Sequence, residues 1–317
     1  IRRFLEHMAC LSFPWLAILF IPIALLAPKI YSWMSADPHL DHALHAKLPL
    51  FTKPAFYIVA AVCFVVWGLI SSRLRYWSLQ QDKTGAAECT YKMRVVSCIG
   101  VVFYALTVTI AAIMWMKALM YEWFSTMYGV YYFAGSVWLT LATVYVIAVI
   151  LKRNGMLKNV LFEKQFYFIG SLLFAFTVFY AYVTFFQYFI IWNANMPEET
   201  FWYVLREKGS WGSMGMVIIF GHFLLPFLLL LRIDWKLKLS VMLPLAIWAW
   251  LMHYADMAFN IGPSLHPNGF VLHWIDIACL MFMVGLLSKV FLKNFLAHPP
   301  FPQRDPRMAE GLDIYVP

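Results

Sequence analysis

The chain has 317 residues, of which 63% are hydrophobic and 13% are charged. Soluble domains carry about 25% charged and about 45–50% apolar residues. The composition therefore excludes an ordinary soluble enzyme, a disordered chain and a disulfide scaffold. Apolar runs about 20 residues long favour membrane-spanning helices over the alternating strands of a β-barrel. In a membrane protein, the formal net charge of +8 reflects the Lys and Arg residues that set the orientation of the spans, and it does not indicate nucleic acid as a partner.

Eight apolar segments predict an all-α, polytopic bundle with eight membrane spans. Each segment is long enough, or nearly so, for a hydrocarbon core about 30 Å thick. The seventh is the shortest and has polar flanks. The predicted spans are residues 9–31, 54–72, 95–116, 128–151, 166–192, 211–231, 239–255 and 268–291.

The placement of Lys and Arg predicts the orientation of these spans. Most of the 24 basic residues fall in segments on one side of the membrane, and such segments are typically cytoplasmic. Both visible ends are therefore expected in the cytoplasm. The transmembrane domain is predicted over residues 1–291, and the Pro-rich residues 292–317 are expected to form a cytoplasmic docking tail.

Cysteine spacing argues against cofactors held by thiolates. The five cysteines form no CxxC, CxxCH or four-cysteine cluster. A structural zinc, an iron–sulfur cluster or a covalently attached haem is therefore not expected in this chain. No metal-binding residues are predicted.

One histidine, His222, lies in the middle of an apolar span and is therefore a candidate functional residue. An ionisable residue inside a membrane costs about 2.5–3.5 kcal/mol on insertion scales. His222 lies in the middle of the sixth span, and Pro226 follows four residues later. Because proline cannot donate a backbone hydrogen bond, we expect a kink beside His222. Packing without a function is an equally weighted alternative for this histidine.

Two His–Asp pairs share the same spacing near the ends of neighbouring spans. His253 and Asp256 close the predicted seventh span, and His273 and Asp276 begin the eighth. The i, i+3 spacing places each pair on one helix face. With the predicted topology, both pairs lie in the outer half of the membrane. There they are expected to converge and exchange protons, either for release or with a quinol hydroxyl.

Other uses of these histidines remain open at this stage. Interhelical hydrogen bonds alone would also explain both His–Asp pairs. A b-type haem would need two imidazoles facing each other across helices, and His222 with His253 or His273 would supply them. Against haem, no helix carries the widely spaced pair of histidines typical of di-haem bundles.

Two further polar residues are candidates for a proton path or quinol site. Gln187 lies near the end of the fifth span, and Glu122 lies in the aromatic loop after the third. Simple exposure to water at the interface is the alternative for Glu122. Nearby, short helices are expected after Asp37-Pro38 and over residues 200–206, with Glu198 and Glu199 at the N-terminal end of the second.

Several long motifs resemble one family of respiratory proteins. They are EWFSTMYGVYYFAGS (122–136), YFIIWNANMPEETFWYVLREKGSW (188–211), FGHFLLPF (220–227), MHYADMAFNIGPSLHPNGFVLHWIDIACL (252–280) and PQRDPRMAEGL (302–312). Together they resemble the ActF-type quinone-binding subunit of bacterial alternative complex III. That subunit is similar to NrfD and polysulfide-reductase-type membrane subunits.

The resemblance implies a fold, partners and ligands. Members of this kind have about ten spans arranged as two four-helix bundles with two extra helices, so two N-terminal spans are expected to be missing here. The resemblance implies a bacterial inner-membrane subunit of a quinol-oxidising complex, with quinone or menaquinone and lipids as ligands. This chain itself is expected to bind no redox cofactor. An ActC-type membrane subunit, iron–sulfur and c-haem subunits and a terminal oxidase are the implied partners.

Two other functions remain as alternatives. A purely structural membrane anchor of the same complex would need none of the polar residues above. A secondary transporter is disfavoured because no pair of short, Gly/Pro-broken spans lies in matching halves of the sequence.

Overall fold

The computed structural model describes residues 1–158 and 160–308, and the described residues are helical without strands. Within them, eight helices are long and apolar enough to cross a membrane. This confirms a polytopic helical membrane protein. The eight spans are Arg2–Ile30, Lys53–Thr84, Ala87–Met120, Tyr128–Arg153, Glu163–Ala194, Gly209–Leu231, Leu239–Leu265 and Trp274–Leu296.

Three spans change their helical geometry along their length. The first consists of Arg2–Ala9, a wider turn over Ser12–Leu16, and Ala17–Ile30. The third continues from Ala87–Ala111 through a π-helical turn over Ala112–Met116 and a 3₁₀ turn over Lys117–Met120. The sixth consists of Gly209–Ile218, a π-helical turn over Ile219–Leu224, and Leu225–Leu231. Where the sequence predicts a kink beside His222, the structure has this π-helical turn.

Short helices lie between the spans. They are Ser32–Met34, His42–His45, Pro197–Glu207 and Ile233–Leu237. Asp41 precedes the second of these, and its carboxylate accepts the backbone N–H groups of Ala43 and Leu44. Both predicted loop helices are therefore confirmed, and the one after Met196 begins at Pro197 with acidic residues in its first turn.

The seventh span is longer than the sequence predicted. Its helix continues to Leu265, past the predicted end at residue 255. Pro263 lies inside the helix and leaves the carbonyl of Phe259 without its usual backbone donor. The side chain of Arg206 supplies the missing donor, because its Nε lies 3.0 Å from that carbonyl oxygen. His253 and Asp256 consequently lie inside the helix and not at its end.

The fourth to seventh spans form a four-helix bundle. The fourth packs against the fifth and the seventh, and the sixth packs against the fifth and the seventh. A buried apolar cluster that includes Trp138, Tyr145, Leu173 and Ala249 fills this bundle. The first three spans pack in sequence, the third contacts the fourth, and the eighth lies against the N-terminal part of the first.

The C-terminal tail folds back onto this chain. The eighth span runs to Leu296, so the tail begins after the predicted boundary at residue 292. Asp305 pairs with Arg2 at 2.5 Å, and Arg304 donates to the carbonyl of Lys83 at 2.9 Å. The remainder of the predicted docking tail, residues 309–317, lies outside the described residues.

Candidate functional site

Asp256 is the centre of a buried polar cluster in the four-helix bundle. Its side chain is only 1% exposed. Oδ1 accepts hydrogen bonds from the hydroxyls of Tyr131 on the fourth span and Tyr180 on the fifth, the latter at 2.8 Å. Asn260, one turn later on the seventh span, donates through Nδ2 to the Tyr131 hydroxyl at 2.6 Å. Three spans therefore meet at one carboxylate oxygen.

His222 lies beside this cluster on the sixth span. It is fully buried, and its ring lies between those of Trp138 and Tyr180, each at a centroid distance of 4.0 Å. Trp138 is itself held by an indole N–H hydrogen bond of 2.8 Å to the hydroxyl of Thr177. Aromatic rings thus cover both faces of the imidazole and fix its orientation.

The π-helical turn explains how the backbone at His222 reaches this position. The N–H of Leu225 bonds to the carbonyl of Phe220, which leaves the Gly221 carbonyl free. The indole N–H of Trp248 on the seventh span donates a hydrogen bond of 2.8 Å to that carbonyl. A Cβ at Gly221 would lie 2.5 Å from the sulfur of Met252. A larger residue would therefore displace the Met252 side chain, and glycine allows this close approach of the sixth and seventh spans.

His253 completes the cluster one turn before Asp256. A Cβ at Gly135 would lie 3.3 Å from its Cε1, so the fourth span approaches the imidazole closely. Both ring nitrogens of His222, Nδ1 of His253 and Oδ2 of Asp256 are buried and have no hydrogen-bond partner within the described part of the chain. One ligand atom from each of these three side chains lies within 4.8 Å of the other two.

A cavity of about 950 Å³ reaches this cluster from the side. Asp256, Tyr131, Tyr180 and Asn260 form its inner wall. Apolar side chains of the fifth and sixth spans form the mouth, and many of them are exposed on the surface of the bundle. These mouth residues include Val178, Tyr182, Phe185, Met216, Ile219 and Phe223. Since they lie within membrane-spanning helices, the cavity opens towards lipid.

Arg206 forms another part of the cavity wall. It is 2% exposed and stacks on Trp202, with the guanidinium carbon 3.4 Å from the ring centroid. Its hydrogen bonds go to the carbonyls of Trp202, Phe259 and Asn260. Arg206 thereby fixes the end of the seventh span one turn beyond Asp256.

The second predicted His–Asp pair does not join this cluster. His273 and Asp276 are both exposed. His273 is the N-cap residue of the eighth span, and Asp276 accepts its backbone N–H at 3.0 Å. The expected convergence of the two pairs is not observed among the described residues, because the eighth span packs against the first span instead.

Two other predicted residues have different surroundings. Gln187 is buried and lines the cavity, accepting from Ser125 at 3.0 Å and donating to the Tyr203 hydroxyl at 3.1 Å. Glu122 is exposed in the loop between the third and fourth spans and does not line the cavity.

Sequence reasoning missed the phenols that surround the carboxylate. Tyr131 and Tyr180 were not among the predicted site residues. Both tyrosines lie within spans, where a hydroxyl requires a partner, and this was the available signal. Asn260 follows Asp256 by four residues and so shares its helix face, but the early predicted end of the seventh span hid this relation.

Comparison with known proteins does not assign this chain to a family. No protein-family model matches it, and a search of curated proteins likewise gives no match. The interpretation of the site therefore depends on its geometry.

Proposed function

We propose that this chain is a membrane subunit of a bacterial quinol-oxidising respiratory complex of the alternative complex III type. In this proposal, the quinol ring enters the cavity between the fifth and sixth spans, and its hydroxyl faces Asp256. The observation that supports the proposal is an aromatic, lipid-facing cavity that ends at a buried carboxylate.

The cavity suits an amphipathic ligand with a small polar head. Its volume of about 950 Å³ is within the range of about 300–1,000 Å³ usual for small-molecule sites. Apolar side chains at the mouth suit a hydrocarbon tail that extends into lipid, while polar groups occur at the inner wall. A water-soluble substrate would have to pass through the membrane to reach this mouth.

The polar cluster suits removal of a proton from a quinol hydroxyl. Oxidation of a quinol to a quinone releases two protons and two electrons. Oδ2 of Asp256 has no hydrogen-bond partner among the described residues and is available as an acceptor, while two phenols hold Oδ1. A positioned base of this kind contributes about 10²–10⁴-fold to a rate. In this proposal the imidazole of His253 then receives the proton from Asp256.

The electrons are proposed to leave through partner subunits that carry iron–sulfur clusters and c-type haem, beside an ActC-type membrane subunit. In the same proposal, the fourth to seventh spans are one of the two NrfD-like four-helix bundles. The first three spans belong to the other bundle, and two further N-terminal spans complete the subunit. The protons are released on the outer side, with both visible ends in the cytoplasm.

A matched pair of carboxylate variants tests this function. The purified complex carries Asp256→Asn or Asp276→Asn, and quinol-dependent electron transfer is measured together with the subunit content. We expect Asp256→Asn to reduce turnover by about 100-fold, the lower end of the range for a positioned base, at normal subunit content. Asp276→Asn should retain turnover within about twofold, because its carboxylate only caps a helix.

Other outcomes would contradict the proposal in distinct ways. Normal turnover in Asp256→Asn would remove the proton acceptor from the mechanism. Loss of turnover only in proportion to loss of other subunits would support the structural anchor. Purification of the chain as a homo-oligomer without haem or iron–sulfur partners would favour a transporter.

A further inference from the structure

We infer that His222, His253 and Asp256 form a binding site for one divalent transition-metal cation of the zinc type. This inference goes beyond the proposed function: the cation would occupy the Asp256 oxygen and the His253 nitrogen in place of the quinol proton, and its binding can be measured without quinol and without turnover.

The first observation is the arrangement of the free ligand atoms. One nitrogen from each histidine and one carboxylate oxygen lie within 4.8 Å of one another, although they come from two different spans. Two imidazoles and one carboxylate form a set that binds Zn²⁺ with an open fourth position. Metal–ligand bonds of about 2.0–2.2 Å would draw these atoms closer together.

The second observation is that these atoms are buried without partners. His222 and Asp256 are 0% and 1% exposed, and the free atoms have no hydrogen-bond partner within residues 1–158 and 160–308. An unsatisfied buried polar group costs about 1–3 kcal/mol. Asp256 also has no ion pair in that part of the chain. A cation would bind one free atom of each side chain at once and neutralise the carboxylate.

The third observation is that the surrounding residues hold two of the ligands in place. Tyr131 and Tyr180 both donate to Oδ1 of Asp256, which leaves Oδ2 as its free ligand atom. Trp138 and Tyr180 hold the ring of His222 between them. Hydrogen bonds and packing of this kind orient metal ligands and increase affinity.

The ligand types determine the class of cation. Two imidazoles suit zinc, copper, nickel, cobalt or iron, whereas Ca²⁺ and Mg²⁺ prefer sites built from oxygen atoms. The chain supplies three ligands from this cluster, so an exchangeable ligand would complete the coordination. The cavity that borders Asp256 provides the space for that ligand.

Ordered water is the competing occupant of this cluster, and zinc binding distinguishes the two. The protein is purified in detergent with its accompanying subunits, washed with chelator, incubated with Zn²⁺ and separated from free ions. Elemental analysis then gives the zinc retained per chain. His253→Gln and Asp256→Asn each remove a ligand atom, and His273→Gln and Asp276→Asn are controls from the exposed pair.

We expect wild-type protein and both control variants to retain about one extra zinc per chain relative to His253→Gln and Asp256→Asn. The apparent Kd should increase at least 10-fold in the two ligand variants, since even outer-shell changes cost about 10–100-fold. Equal retention by all five proteins, or a loss confined to the control variants, would overturn the inference.

X-ray absorption at the zinc edge of the wild-type protein provides a test that does not depend on the folding of a variant. A first shell with two imidazoles and a carboxylate would support the site. A shell of oxygen atoms alone, or no zinc above the chelated baseline, would mean that water occupies the cluster. Normal quinol turnover with that result would leave the proposed function intact.

Discussion

The two His–Asp pairs of this chain have the same spacing but different environments. His253 and Asp256 lie inside the seventh span, where the fourth and fifth spans contribute phenols to the carboxylate. His273 and Asp276 lie at the start of the eighth span and are exposed. There, the carboxylate bonds to the backbone of its own helix.

The difference shows that an i, i+3 pair does not by itself define a site. At the start of a helix, a carboxylate has unpaired backbone N–H groups as local partners. In the interior of a span those groups are already bonded within the helix, so the carboxylate requires partners from other helices. The buried pair therefore depends on the bundle, whereas the exposed pair depends mainly on its own first turn.

The largest expected difference between the pairs is in turnover. We expect His253→Leu to reduce quinol-dependent turnover of the purified complex by about 10²-fold, as for loss of a positioned proton-transfer group. His273→Leu should change turnover by less than twofold. Steady-state assays with a soluble quinol, at matched subunit content, provide the measurement. Equal effects of the two substitutions would show that the pairs act together despite their separate environments.

A second difference concerns how closely other residues pack against the seventh span, which carries His253 and Asp256, and against the eighth span, which carries His273 and Asp276. Gly221→Ala places a methyl group against Met252 and Trp248, and overpacking of this kind costs about 1–3 kcal/mol. Gly285→Ala, in the eighth span, meets no atom within 4 Å and should not destabilise the protein. Thermal unfolding in detergent gives the comparison. A stability of Gly221→Ala equal to that of wild type would argue against a close contact between the sixth and seventh spans.

The exposed pair should still have a small structural effect. Asp276→Ala removes the acceptor of the His273 backbone N–H, and loss of such a cap costs about 0.5–2 kcal/mol. We expect a cost near the lower limit because both residues are exposed. Unfolding in detergent, with turnover as a second measurement, separates this effect from a catalytic one. A large loss of turnover at unchanged stability would assign the exposed pair a function.

A pH-dependent effect is expected from a half-buried cation in the loop before the second span. Burial lowers the pKa of Lys47 from 10.5 to about 8, although Asp41 and Glu122 oppose the shift. Between these two pH values the unfolded chain binds more protons than the folded chain. Stability therefore rises with pH through this window.

Removal of this lysine should flatten the pH dependence. We expect the unfolding temperature of Lys47→Met to rise less than that of wild type between pH 8 and about 10.5, the normal range for lysine. Exposed Lys53→Met serves as the control and should follow wild type. Identical pH profiles for all three proteins would show that Lys47 titrates as an exposed lysine.

Much of the architecture could be predicted from hydrophobic segments alone. A span must be apolar over about 20 residues whatever it packs against, and this requirement produced the eight predicted spans. The predicted end of the seventh span at residue 255 was wrong because it followed the polar residues that flank the apolar run, whereas the helix continues to Leu265. Pro263 is tolerated inside it because Arg206, more than 50 residues earlier, bonds to the carbonyl that the proline leaves free.

The candidate site was predicted only in part. Ionisable side chains within or near spans cost free energy, which made His222, His253 and Asp256 candidates for function. Pro226 indicated that the helix beside His222 is irregular. The roles of Tyr131 and Tyr180 could not be predicted, because a tyrosine in a span has the same local sequence pattern whether its hydroxyl lies in a core or at the membrane surface.

The amino-acid sequence by itself determined that the described part of this protein has eight helices long and apolar enough to cross a membrane, and which ionisable residues they carry. Both follow from the free energy of transfer into lipid, a property of each segment alone. Only the tertiary structure decided that Asp256 of one His–Asp pair is buried beside two phenols while both residues of the other pair are exposed. That outcome depends on which spans pack together, and packing between apolar helices depends on shape and on hydrogen bonds that connect distant parts of the chain.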